Sequence, residues 1–289
     1  MADINRTALA LPPEVSSEIL QKTQQESAIM RLARRVALPG RGLTIPMITG
    51  DPTAAWVDET GVKPVSNPTM NKKVMQAYKI AVIETFSEEF TRDYQAMYDA
   101  LIARIPGSLS KCFDGTVIGT VAKPGENFDN FANCTAQSIN GTNTYAGLVA
   151  ADADISDNDG ILNGFALAPQ AKSILLSAVD GNERPLFINS VAEGAIPMIL
   201  GVPTYFNKGV YKAADTDTAA IVGVAGDWTQ AMYGTVEGVK VDITNNATIT
   251  SGETTINLWQ QNMVAVRAEI EIGFRADTTV FNLLTGAAA

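Results

Sequence analysis

Apolar and polar residues alternate through the segment MVAVRAEIEIGFR, residues 263–275. The even positions are all apolar, whereas four of the odd positions carry charged side chains. Because successive side chains of a strand point to opposite faces, this pattern predicts a long strand with one apolar and one charged face. A second alternating stretch, 239–243, precedes it, and a polar turn region over 244–253 lies between them. Together they predict a long β-ribbon with a charged face.

A second pair of predicted strands encloses a long segment rich in proline and glycine. One strand covers 43–48, and an alternating stretch over 74–86 follows the segment. The segment itself holds too few apolar residues to bury a core, so it is ordered only where it lies on another surface. Trp56 is the natural anchor for that contact, because large aromatic side chains dominate binding energies. The whole stretch predicts an extended hairpin.

Helical spacing and capping signals recur along the rest of the chain. The predicted helices are one opening at Pro12 and Pro13, one over 27–36, a long one from Ser87 that Pro106-Gly107 interrupts and Asp114-Gly115 ends, one within 145–157, and one from Pro169 to Gly181. Buried strands are predicted over 161–167 and 221–224, and an apolar segment follows over 279–284. This mixture predicts an α+β protein.

The composition favours an oligomer and argues against a nucleic-acid-binding protein. Of the 289 residues 46% are hydrophobic and only 18% are charged, so much of the surface is expected to be covered by other protein. The formal net charge of −10 opposes tight binding to phosphates, which depends on Lys and Arg. One small basic cluster stands out, and a solvated or acid-paired face is favoured there over a nucleic-acid contact: Arg31, Arg34 and Arg35.

The residues of classical catalysis are scarce. The chain has no histidine, which removes the commonest general base and most zinc sites. Cys112 and Cys134 form no CxxC pair and are predicted to be free thiols. The acidic run DADISDNDG over 152–160 misses the spacing of a calcium loop, so a solvated acidic loop is favoured. No catalytic, cofactor-binding or metal site is therefore predicted, and the protein is not expected to be an enzyme.

Two carboxylates on the predicted long strand need separate consideration. Glu269 and Glu271 share one face, which could suggest a catalytic pair, but Arg267 and Arg275 share it too. This arrangement favours ion pairing between subunits or a solvated face. No apolar run reaches the length of a membrane span, and the N-terminus lacks signal-peptide features, so synthesis in a cytoplasm is expected without a membrane partner.

The order of these elements resembles the major capsid proteins of tailed bacteriophages, which have the Hong Kong 97-like fold. Five segments carry the resemblance: 86–115, 163–186, 199–204, 226–233 and 261–284. The resemblance implies an N-terminal arm (1–36), an extended loop (37–84), a peripheral domain with the spine helix (85–135), an apical domain (136–225), the long antiparallel strands of the peripheral domain (226–275), and a C-terminal segment returning to the apical domain (276–289).

The function implied by the resemblance is that of a shell subunit. Hexamers and pentamers would build an icosahedral virion capsid in the host cytoplasm, around double-stranded DNA that is enclosed without being gripped. Partners would include a portal protein and decoration proteins. Because only about a dozen residues precede Pro13, scaffolding is expected from a separate protein, unless a prosegment has been removed. The residues expected to contact neighbouring subunits are Trp56, Glu59, Lys63, Lys72, Lys73, Arg267, Glu269 and Glu271.

Two other interpretations stay open from the sequence. A cellular nanocompartment shell of the encapsulin type shares the fold, and cargo enzymes in place of DNA would distinguish it. An α+β enzyme that uses carboxylates would need a concave pocket with converging titratable groups. The Lys–Asn crosslink of the family's founding member has no aligned counterpart here, so no covalent crosslink is expected.

Overall fold

The computed structural model describes residues 23, 27–40, 42–48, 54–59, 61–63, 65, 70–89, 103–140, 144–180, 182, 184–187, 198–216, 218–251 and 254–286. The helices are α1 (Ala28–Leu32), α2 (Ile105–Ile118), α3 (Thr144–Asp157) and α4 (Pro169–Ser177). The strands are β1 (Arg34–Ala37), β2 (Leu43–Ile48), β3 (Met70–Met75), β4 (Tyr78–Ser87), β5 (Thr135–Ser138), β6 (Gly164–Leu167), β7 (Met198–Ile199), β8 (Val202–Phe206), β9 (Ile221–Gly226), β10 (Ala231–Thr235), β11 (Lys240–Thr244), β12 (Thr248–Ser251), β13 (Thr254–Asn257), β14 (Met263–Ala276) and β15 (Phe281–Thr285).

β14 is the long strand that the alternating pattern predicts. It pairs antiparallel with β4 along one edge, from Met263 opposite Ser87 to Ile272 opposite Tyr78. Its other edge pairs with β11 and then with β10, and β1 adds to β10 in parallel. The predicted ribbon with 239–243 is thus confirmed. The region between its strands is more ordered than the predicted polar turn, because it contains the hairpin of β12 and β13.

A six-stranded sheet forms the second layer, in the order β5-β15-β9-β6-β8-β7. Its central strands β6 and β9 are buried at every residue, so they read in the sequence as continuous apolar runs. The chain passes from the end of β14 to the start of β15 through one short 3-10 turn, Thr278–Val280. This crossing lets both sheets share a core of aromatic side chains, in which Phe131 stacks on Phe281 at 4.5 Å between ring centroids.

Two helix boundaries differ from the sequence-based prediction. α2 does not end at Asp114-Gly115 but continues to Ile118, where Gly119 takes the left-handed conformation (φ 89°) that closes the helix. Pro106 lies in the first turn of α2, where a missing backbone donor costs nothing. The predicted helix over 27–36 ends at Leu32, because the following residues pair with β10 as the strand β1.

Other predicted elements are confirmed or adjusted. The helices predicted within 145–157 and from Pro169 are α3 and α4, although α4 ends at Ser177 rather than Gly181. Asp152, Asp154 and Asp157 lie on the last turns of α3, so the acidic run is not a loop as predicted. The helix opening at Pro12 and the helical stripe between 90 and 102 lie outside the described residues.

The extended hairpin is present. β2 and β3 pair antiparallel from Leu43 opposite Met75 to Ile48 opposite Met70. The alternating stretch over 74–86, predicted as one strand, forms two strands. β3 ends at Met75, and β4 starts at Tyr78 and pairs with β14 in the five-stranded sheet. The hairpin therefore ends where the chain changes sheets. The division into named domains at the residue numbers given above stays a prediction.

Asp114 joins α2 to the N-terminal helix α1. Its carboxylate is fully buried and accepts hydrogen bonds from the Ser27 hydroxyl and the Ala28 backbone N–H, 2.5 and 3.1 Å away. Ser27 in turn caps α1 by accepting from the Met30 N–H. Burial raises the pKa of the Asp114 carboxyl from 3.8 to about 7, against the lowering effect of these hydrogen bonds.

We predict that Asp114 makes folding stability fall as the pH rises toward neutrality. Between about pH 4 and 7 the folded carboxyl keeps a proton that the unfolded chain has lost, so stability declines across this window. In Asp114→Asn this decline should be shallower when the unfolding free energy of the unassembled protein is measured by denaturant titration at several pH values. Asp159→Asn, at an exposed position, is the matched control and should keep the wild-type slope. An unchanged slope in Asp114→Asn would contradict the prediction.

Candidate intersubunit site

The charged face of β14 forms an ion-pair network within one chain. Glu269 and Glu271 each lie 3.4 Å from the ammonium of Lys79 on β4. Arg267 donates to Asp242 on β11 at 2.5 Å. The hydrogen bond to Glu269 raises the pKa of Lys79, and the one to Asp242 raises the pKa of Arg267. The structure thus brings together three of the sequence-predicted contact residues on one partly exposed sheet face.

These pairs lie on neighbouring strands, so their geometry comes from the sheet register. Glu269 is opposite Lys240 of β11 and Ala81 of β4, and Arg267 is opposite Asp242. Surface pairs of this kind stabilise a chain by little, since solvent screens them. Their contact with a neighbouring subunit stays a prediction.

The predicted contact residues of the extended hairpin fall into two groups. Trp56 is fully exposed, and Glu59 and Lys63 are exposed near it. Lys72 is exposed on β3, whereas Lys73 is half-buried. The Lys73 ammonium donates to the Ala276 carbonyl at 2.9 Å and lies 3.6 Å from the Asp129 carboxylate. Lys73 therefore holds the hairpin to its own chain, whatever further contact it makes.

Arg275 is the residue whose role the alternating pattern does not reveal. The sequence places it on the charged face with Arg267, but it is only 8% exposed. Its guanidinium donates to the Val74 carbonyl at 2.7 Å and to Asp129 and Asn127 at 2.7 and 2.9 Å. The expectation for the charged face, ion pairing between subunits or exposure to solvent, does not hold for Arg275, whose partners belong to its own chain. Arg275 ties the root of the hairpin to the end of β14.

A glycine in the sequence marks the difference between the buried Arg275 and the exposed Arg267. Gly273 interrupts the charged positions just before Arg275, and a Cβ there would lie 2.5 Å from the Gln76 carbonyl oxygen. The glycine lets the backbone between β3 and β4 cross directly over β14. Past this crossing the outer face of β14 is covered, so the next odd-numbered side chain is buried.

Two clefts lie beside these elements. A basic cleft of 360 Å³ lies at the root of the hairpin and is lined by Arg34, Lys73 and Arg275 together with Ile45, Pro46 and Met232. A second cleft of 300 Å³, here called the helix–strand pocket, lies between α2, β4 and the loop after α2. Its lining is mostly apolar: Tyr78, Ile80, Phe113, Val121, Phe128 and Ile272.

Both cysteines are free thiols, as predicted, and both are half-buried. Cys112 lines the helix–strand pocket. The Cys134 thiol donates to the Thr278 carbonyl at 3.3 Å, and burial raises its pKa to about 12. Within the described ranges no three His, Cys, Asp or Glu side chains are grouped as a metal site would require. Nor does any helix there have the length and apolar character needed to cross a bilayer.

The chain belongs to the phage capsid family, whose pattern it matches over residues 7–277. It is 29% identical to the probable major capsid protein of Mycobacterium phage D29, covering 95% of this chain and 89% of that protein. A solved chain from Gordonia phage Cozz superimposes with a TM-score of 0.75 at 21% identity, covering 91% of this chain and 87% of that one. The capsid of a native GTA particle, computed with C5 symmetry, gives 0.63 at 14% identity, covering 92% and 90%.

These matches confirm the expected α+β capsid fold of the Hong Kong 97-like type. The function is that of a major capsid protein of tailed phages, and the nanocompartment alternative is not favoured. The family consists of structural capsid proteins, which places the chain among virion components.

We predict that Arg275 matters far more for folding stability than Arg267. Arg275→Gln removes the guanidinium bonds to the Val74 carbonyl and the Asn127 and Asp129 side chains in a nearly buried site, although Lys73 and the Ala276 N–H still contact Asp129, so it should cost about 3 kcal/mol. Arg267→Gln removes a solvent-screened pair and should cost less than about 1 kcal/mol. Denaturant unfolding of both unassembled variants tests this, and equal losses would contradict it.

Proposed function

We propose that the chain assembles with copies of itself into hexamers and pentamers of an icosahedral shell, using the extended hairpin to hold a neighbouring subunit. The observation that carries this proposal is the exposed apolar surface of the segment between β2 and β3. Trp56 is fully exposed there, and Val62 and Val65 are 96% and 87% exposed. Exposed apolar side chains concentrated on one segment mark a contact surface.

The root of the hairpin supports the same role. Lys73 and Arg275 fasten β3 to Ala276, Asp129 and Asn127 of the same chain. Because the base of the hairpin is held by these hydrogen bonds, a contact made by its apolar segment would connect the neighbouring subunit to the sheet of β14. Moderate contacts of this kind become strong in a closed shell, since closure multiplies them.

The charged face of β14 is a second contact surface under this proposal. Within the chain Arg267 pairs with Asp242 and Glu269, whereas Glu271 pairs with Lys79. These side chains stay partly exposed, so a neighbour of complementary charge can join the network. Such contacts contribute more to alignment than to affinity. The exposed Glu59, Lys63 and Lys72 on the hairpin would make contacts of the same kind.

The shell would enclose double-stranded DNA without binding it tightly, since the formal net charge of −10 repels phosphates. A portal protein through which DNA passes and separate scaffolding and decoration proteins are further proposed partners, with assembly in the host cytoplasm. The proposed role is structural, not catalytic.

Electron microscopy of the protein expressed alone, together with size-exclusion chromatography, tests the proposal. Closed shells, or rings of five and six subunits, are the expected particles, and packaged DNA should be found in particles from infected cells. A monomer alone would call for co-expression with scaffolding protein from the same phage. Monomers under both conditions would refute the proposal.

We predict that Trp56→Ala weakens the subunit contact by about 2 kcal/mol or more, as the loss of an aromatic anchor does. Denaturant titration of assembled particles, followed by light scattering, measures this loss. The unfolding free energy of the unassembled variant should not change, because Trp56 is fully exposed in its own chain. Trp56→Phe keeps an aromatic ring and should recover most of the loss. Wild-type particle stability in Trp56→Ala would exclude the anchor role.

A further inference from the structure

We propose that the helix–strand pocket of one subunit receives the Trp56 side chain of a neighbouring copy. This inference rests on the proposed assembly through the hairpin and names the surface that the hairpin meets. Trp56 is fully exposed, so the pocket of its own chain does not hold it. A Trp56 side chain seated in this pocket must therefore come from another copy of the chain.

The shape and lining of the pocket suit an indole ring. Its volume is 300 Å³, and apolar side chains form most of its lining. The buried Phe128 ring meets Tyr78 and Phe113 edge to face, with ring centroids 6.2 and 6.4 Å apart, which fixes the partly exposed Tyr78 ring from behind. An added indole would therefore contact the ring of Tyr78 together with the apolar side chains of Ile80 and Val121. Ile272 of β14 is buried in the same lining.

The rim of the pocket supports an apolar guest. Val121 lies in the loop after α2 and is 44% exposed, so part of the lining is open to solvent in the single chain. Covering it with another apolar group is favourable in proportion to the area removed from water. Val57, next to Trp56, is exposed as well and extends the apolar surface that the neighbour would bring.

Charge complementarity favours the same pairing. Asp58 and Glu59 follow Trp56 directly and are both exposed. Lys123 lies between the lining residues Ala122 and Pro124, is exposed, and has no ion pair in the part of the chain that the structure describes. A carboxylate two or three residues from a seated Trp56 can reach this ammonium. Lys79 also lines the pocket, but Glu269 and Glu271 already neutralise it.

The basic cleft is a poorer receptor. Three cations, Arg34, Lys73 and Arg275, and the Asp277 carboxylate line it, and Lys73 and Arg275 are both paired with Asp129. Its walls include β2 and β3, so it lies against the root of the hairpin in its own chain. Seating an indole there would cost these charged groups part of their hydration.

Cys112 provides a native reporter for the pocket. It lines the pocket and is half-buried, so a thiol reagent reaches it only while the pocket is open. The other cysteine, Cys134, is held against the Thr278 carbonyl, and its raised pKa keeps the thiolate scarce. Labelling at the two positions can be separated by mass spectrometry of the peptides.

The test is the rate of N-ethylmaleimide labelling at Cys112 in assembled particles and in unassembled subunits. Seating of Trp56 should slow labelling about ten-fold or more in particles, which corresponds to a contact of about 1.4 kcal/mol. Particles of Trp56→Ala should lose this protection. Trp259→Ala removes another exposed indole, from the turn before β14, and should retain the protection.

Equal labelling of Cys112 in wild-type particles and subunits would overturn the inference while leaving the assembly proposal intact. Protection that persists in Trp56→Ala particles would also overturn it, since another part of the neighbour would then cover the pocket. If Trp56→Ala does not assemble, a short bismaleimide applied to Val57→Cys particles, which keep Trp56, should link the introduced thiol at position 57 of one chain to Cys112 of its neighbour, and V57C/C112S particles should not link. Absence of the link would refute the inference. Absence of wild-type particles, even with scaffolding protein, would refute the proposed function and this inference with it.

Discussion

Burial of the apolar face of β14 is the constraint on which the rest of the structure depends. Ile272 and Phe274 join the core shared with the six-stranded sheet, whereas Val266, Ala268 and Ile270 join a second cluster with α2, β4 and β11. One strand thus contributes to both clusters and pairs along both of its edges. Because a register shift of one residue would expose the whole apolar face, the positions of the neighbouring strands are set together.

The same strand fixes the hairpin. Where the backbone crosses β14 at Gly273, the outer face changes from solvated to covered. Arg275 follows at once and meets the Val74 carbonyl and the side chains of Asp129 and Asn127. A buried guanidinium requires all of these partners, so it holds the hairpin root in one orientation. The exposed apolar segment of the hairpin therefore starts from a base of fixed orientation, which the proposed contact with a neighbouring subunit needs.

The proposed contact joins two features, the exposed Trp56 and the open helix–strand pocket, that the structure of a single chain does not explain. Trp56 lies exposed although burial of an indole is strongly favourable, and the helix–strand pocket lies partly open although its lining is mostly apolar. In a shell of identical subunits each copy carries both features, so one pairing repeated around a ring satisfies all of them. An ion pair between the acidic residues after Trp56 and the Lys123 ammonium would orient the hairpin on the neighbouring subunit.

The sequence by itself determined the elements that depend on nearby residues. Alternation over 263–275 identified β14, the two strands around a proline- and glycine-rich segment identified the hairpin, and Pro169 marked the start of α4. Only the tertiary structure decided the features made by distant partners. Asp114, at the predicted end of the helix, lies inside α2 and accepts a hydrogen bond from Ser27, 87 residues away, and β1 forms because β10 lies beside it. Arg267 and Arg275 occupy equivalent positions in the pattern, and the crossing of Gln76 over Gly273 alone makes one exposed and the other buried. Local spacing specifies which face a side chain is on, whereas what covers that face is settled by chain segments far away in sequence.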